Sequence, residues 1–109
     1  MNQFKQILKD QIVGDDGFVD VYNLNVENWP ETNVGEEGEE EEWEDVDLEN
    51  HSLVKLTDDE FVLSAGGDWQ NPVTMTIKLV DGKLKVTNVI HDEFQDGMDE
   101  EEFLKILNQ

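Results

Sequence analysis

The chain has no cysteine, which excludes a disulfide framework, a thiolate metal site and a cysteine nucleophile in any compartment. It has no arginine either. Seven lysines (Lys5, Lys9, Lys55, Lys78, Lys83, Lys85 and Lys105) face 28 aspartates and glutamates, for a net charge of −21. Phosphate binding draws its affinity from Lys and Arg displacing counterions, and these lysines are scattered, with only Lys83 and Lys85 close together in sequence. Direct binding to DNA or RNA is therefore not expected, and the same charge opposes docking on an anionic membrane. Long apolar runs are missing too: none approaches the roughly 20 residues that span a bilayer. The first residues, MNQFKQILKDQIVGDD, are interrupted by Lys5, Gln6, Lys9 and Asp10 and do not resemble a signal peptide. Cytoplasmic residence is the expectation.

What is present is enough for one small α+β domain. At 109 residues a chain buries a little under two-thirds of its unfolded surface around one core. Phe4, Ile7, Leu8 and Ile12 share one helical face, which predicts a helix over about residues 2–13, closed at Gly14 by a left-handed residue. After the Gly14-Asp15-Asp16-Gly17 turn, residues 18–26 are rich in Val, Phe and Tyr, and Tyr22, Leu24 and Val26 alternate with Asn23 and Asn25 as in a half-buried strand.

The second half reads as an antiparallel meander. Residues 53–56 and 60–65 flank Thr57-Asp58-Asp59, and residues 73–80 and 83–90 flank Asp81-Gly82. Asp-Gly between two alternating runs is the signature of a two-residue type I′ hairpin. Gly66, Gly67 and Pro72 mark a loop between the hairpins. Asp99 caps a last helix over about residues 100–107, whose apolar face is Phe103, Leu104 and Leu107. The predicted architecture is an antiparallel sheet of four to six strands with both terminal helices on one face.

Between these parts the composition changes. Residues 27–49 hold twelve acids and no base. Like-charge blocks repel and stay extended, so a flexible acidic loop is expected over about residues 31–42. Val46 and Leu48 alternate with Asp45, Asp47 and Glu49 as in a strand with one wet, acidic face.

Few catalytic or metal patterns survive inspection. His91-Asp92-Glu93 with Ser52 or Ser64 can be drawn as a triad, but in so acidic a chain a carboxylate near a histidine carries no information. Asp45-Val46-Asp47-Leu48-Glu49-Asn50 begins like a calcium loop and then has Asn50 and Leu56 where Gly and Glu are required; starting at Asp92 places Gly97 correctly but Phe103 at the last position. Gly66-Gly67 lacks both the spacing and the lysine of a phosphate loop. No enzyme activity, metal or cofactor is expected.

The acidity itself points to a partner with a basic surface. Alternate residues on a strand lie about 6.8 Å apart, so Asp45, Asp47 and Glu49 would repeat charge at about two base-pair steps of roughly 3.4 Å each. The expected function is that of a non-enzymatic inhibitor of nucleic-acid-mimic type, occupying the basic groove of a nucleic-acid-processing or host-defence protein. In composition the chain resembles small inhibitors of bacteriophages and mobile elements that block restriction, CRISPR, glycosylase or polymerase proteins. An immunity or antitoxin protein against a basic toxin is the alternative, and a binding module whose acids merely solvate it is a second. The residues assigned to the partner are Glu36, Glu37, Glu39, Glu40, Glu41, Glu42, Trp43, Glu44, Asp45, Asp47 and Glu49, Trp43 because buried aromatics anchor interfaces. Net charge opposes self-association, so a monomer is expected, although an exposed edge strand could pair two copies.

Overall fold

A computed structural model describes residues 2–34, 42–67 and 70–109. It is an α+β fold, a four-stranded antiparallel meander and a separate two-stranded ribbon, with one helix near each end of the chain. Helix α1 (Gln3–Ile12) starts where the Asn2 side chain accepts the Lys5 amide, and buries Phe4, Leu8 and Ile12. Its end differs from the expectation. The helix stops at Val13 in an extended conformation, and the left-handed residue of the following turn is Gly17, not Gly14. Val13 leaves the helix because it bridges to Val19, which closes the intervening loop on itself.

The strand expected over residues 18–26 is also replaced. Beyond Val19 the chain makes a single 3₁₀ turn (Val21–Asn23) capped by Asp20, whose carboxylate accepts the Tyr22 amide. The Asn25 amide is taken by the Gln11 side chain. With side chains replacing a neighbouring strand, the alternation shifts: Val21, Leu24 and Val26 are buried, and Tyr22 is 58% exposed.

The meander has the order β3 (His51–Leu56), β4 (Glu60–Ala65), β5 (Val73–Val80), β6 (Lys83–His91). Asp81 and Gly82 both have positive φ, 52° and 79°, the pair of left-handed residues that a type I′ turn needs. One sheet face carries Leu53, Leu56, Phe61, Leu63, Met75, Ile77, Leu84 and Val86, all buried against α1 and α2 (Glu100–Leu107). The Phe61 and Phe103 rings lie 5.3 Å apart at the centre of that contact. Asp99 caps α2 by accepting the Glu102 amide, as expected.

The opposite face is polar and is crossed by a strap, residues 92–98. Ser52, Ser64 and Thr74 form one row across β3, β4 and β5. Thr74 donates to the Glu93 carbonyl, Ser64 accepts the Gln95 amide and Ser52 accepts the Gly97 amide. The strap ends as Met98 donates to Leu53 and bridges the β3 edge. At the other edge, Asn28 pairs its side-chain amide with both backbone groups of Val86, beside a Glu27 to Leu84 bond. Both edges of the meander are thus partly covered, which blunts them against pairing with another chain.

The ribbon joins β1 (Glu31–Asn33) to β2 (Trp43–Asp45). Residues 31–33, placed in a flexible loop by composition, therefore form a strand; residues 35–41 of that loop lie outside the described residues. Val46 and Leu48 are buried while Asp45 and Glu49 are exposed, as the alternation predicted, but the strand itself ends at Asp45. Among the described residues no helix is long and apolar enough to cross a membrane.

Candidate partner-binding end

The ribbon is held by a few specific bonds. Gln70, almost fully buried in the β4–β5 connection, accepts the Asp47 amide and donates to the carbonyls of Asp45 and Glu44. Thr32, also buried, donates its hydroxyl to the Asn71 carbonyl, and the Asn71 amide donates to Asn33. These bonds fix the ribbon at the end of the meander opposite its two turns, 57–59 and 81–82.

Charge is distributed between those two ends. Five of the seven lysines gather at the turn end: Lys5 pairs with Asp58 at 2.9 Å, Lys55 and Lys78 flank Glu60, and Lys83 and Lys85 flank Glu27. They are scattered in sequence and brought together by the hairpin register, which sets Glu60 opposite Lys78 and Lys78 opposite Lys85. Lys83 donates to Glu27 and, with Lys85, holds that carboxyl below its ordinary value against a smaller opposing effect of desolvation. Among the described residues the ribbon end has no lysine. Glu42, Glu44, Asp45 and Glu49 are exposed and Asp47 half-buried, and none of them takes part in an ion pair among the described residues.

Of the eleven residues assigned to a partner from sequence, six are therefore placed on or next to the ribbon: Glu42, Trp43, Glu44, Asp45, Asp47 and Glu49. Glu36, Glu37, Glu39, Glu40 and Glu41 lie outside the described residues. Trp43 is 53% exposed and meets His91 edge-on, with ring centroids 6.4 Å apart. Asp47 also accepts the Glu49 amide, which turns the chain out of the ribbon.

Sequence reasoning assigned neither Tyr22 nor Trp29 to the partner. Both line a groove of about 370 Å³ beside the ribbon. Buried Leu24, Val46 and Leu48 form its base, and Glu44, Asp45 and Asp47 complete its lining. Contact with the groove partly desolvates the Tyr22 phenol, and the charges of Asp47, Glu49 and Asp20 act in the same direction, holding it above its ordinary value of 10.0. The signal for Tyr22 was present only in the Asp20-Val21-Tyr22 spacing, in which a capping aspartate two residues ahead turns the aromatic outward.

The side chains drawn as a triad have other partners. Ser64 is buried and engaged with Thr74 and Gln95, Ser52 holds the strap, and the His91 ring faces Trp43. Among the described residues no three His, Asp or Glu side chains are arranged to hold a metal. Compared with protein-family models, with curated proteins and with solved structures, the chain matches none.

Proposed function

We propose that this protein is a non-enzymatic inhibitor that presents the ribbon end as a substitute for nucleic acid and occupies the basic groove of a nucleic-acid-processing or host-defence protein. The observation that carries the reading is the separation of charge: five of the seven lysines are paired at one end, and the acids of residues 42–49, at the other, have no ion-pair partner among the described residues. A surface held only for solubility has no need of such sorting. One signed end, by contrast, speeds encounter with a basic target and sets its orientation. Attachment of the acids to a paired ribbon, fixed through Gln70 and Thr32, supports the same reading, because charges held in place lose less entropy on binding than charges on a free coil.

The test is capture from bacterial lysate, with and without phage infection, on immobilised protein, followed by competition with double-stranded DNA. The expected result is retention of a nucleic-acid-binding protein that DNA releases and that the variant Glu44→Gln/Asp45→Asn/Asp47→Asn/Glu49→Gln fails to retain. Retention of a basic toxin that DNA does not displace would instead establish an immunity protein. Retention unaffected by the charge variant would overturn the reading.

A further inference from the structure

The groove between the 3₁₀ turn and the ribbon combines features that a diffuse acidic surface lacks. Its base is aliphatic, two of its lining residues are aromatic, and its three acids carry no ion pair among the described residues. Tyr22 is among the most exposed large apolar side chains of the described residues, yet its neighbours Val21 and Leu24 are buried. The exposure follows from the Asp20 cap, which holds the turn in the register that places the ring outside. Charge complementarity selects the occupant: a cation whose body is flat and weakly hydrated enough to lie against an aromatic ring while its edge meets carboxylates. Guanidinium meets both demands; the compact, strongly hydrated ammonium of lysine meets only the second.

We infer that this groove is an arginine-binding site, receiving one arginine side chain from the basic surface of the partner between Tyr22 and Trp29 on one hand and Asp45 and Asp47 on the other. The inference rests on the proposed function for the source of the arginine and adds to it a point of specificity. Ribbon charges attract any basic surface, whereas the groove discriminates between arginine and lysine. Trp29 is half-buried and packed against the core, so it supplies a rigid surface, and the exposed Tyr22 ring supplies the adjustable one.

A hexa-arginine peptide and a hexa-lysine peptide of equal charge serve as probes, titrated at physiological salt and followed by amide and indole N–H resonances of the whole chain. The arginine peptide is expected to shift the Trp29 indole and the backbone of residues 22–29 and 44–48, and to bind about three- to fivefold tighter than the lysine peptide, the factor expected of one exposed cation–aromatic contact. Tyr22→Ala, at an exposed position and without change of charge, should abolish that preference, and Tyr22→Phe should keep it. Equal affinities for the two peptides, or a preference that survives Tyr22→Ala, would overturn the inference. The two readings fail separately: a captured partner that is lost with the ribbon acids but is bound equally by Tyr22→Ala leaves the inhibitor reading standing and removes the arginine site.

Discussion

The hydroxyl oxygens of Ser64 and Thr74 lie 2.6 Å apart on the polar face of the sheet, both closed off from water. Their hydrogen order follows from their neighbours. Thr74 has one proton and gives it to the Glu93 carbonyl; the Ser64 oxygen already accepts the Gln95 amide and so gives its own proton to Thr74. A directed chain thus runs from the Gln95 N–H through two hydroxyls to the Glu93 carbonyl and clamps the strap from both sides. Ser64→Ala leaves the half-buried Gln95 amide without its acceptor and takes from the Thr74 oxygen the proton it accepts, at a cost of about 1–3 kcal/mol. In urea denaturation the double variant Ser64→Ala/Thr74→Val should lose about 1 kcal/mol less than the sum of the single changes, since both remove the same bond. Additive losses would mean that the two hydroxyls are not coupled.

At Gly97 the strap passes close against β3. A Cβ there would fall on the Leu53 carbonyl, the acceptor of the Met98 amide at 2.7 Å. Gly97→Ala is expected to cost more than about 2 kcal/mol, because backbone must move on both sides. Gly17→Ala is the control. Gly17 has φ of 83° but nothing within 4 Å of an added Cβ, so only the conformational penalty of about 1 kcal/mol applies. Chemical denaturation of the two variants should separate them clearly.

Gln70 anchors the ribbon through both ends of its amide. Gln70→Glu would set a carboxylate oxygen against the carbonyls of Glu44 and Asp45, a buried like-polarity contact worth about 2–3 kcal/mol. Amide exchange should speed up at residues 31–33 and 43–45 while Leu63 and Met75, in the centre of the meander, stay protected. Uniform acceleration throughout the chain would mean that the ribbon and the meander unfold together.

Glu27 sets one pH dependence. The Lys83 hydrogen bond and the charges of Lys83 and Lys85 lower its pKa below 4.5 in the folded chain. A depressed carboxyl contributes stability that is complete above the unfolded value and lost as pH falls through the folded one. The stability difference between the native chain and Glu27→Gln should therefore be constant from neutrality down to about pH 5 and shrink below it. Measuring the difference, not either curve alone, removes the change in overall repulsion as the other carboxylates titrate.

The parts legible in the sequence are those with a local cause. Asp81-Gly82 encodes its turn through two left-handed residues, and Asp99 encodes a helix start; both stand where the spacing placed them. The parts that were not legible depend on distant side chains acting on backbone. Tyr22 faces outward because Asp20 and Gln11 take amides that a strand partner would have taken. Glu31–Asn33 pairs with Trp43–Asp45 although an acidic run separates them, because Gln70 and Asn71, more than 20 residues further on, hold both strands in place. The strap has no apolar period at all; hydroxyls on three strands position it. For the candidate site, the acids of residues 42–49 were evident from composition, while the groove beside them depends on the reversed parity at Tyr22 and has no compositional trace.

Five lysines at the turn end, and acids at the ribbon end that have no ion pair among the described residues, give the molecule an electrical axis as well as a net charge. In the field of a basic target such an axis experiences a torque, and rotational diffusion becomes biased before any atoms touch. The molecule then arrives ribbon first in more of its collisions, so that a larger share of encounters becomes productive and less orientational entropy remains to be lost at contact.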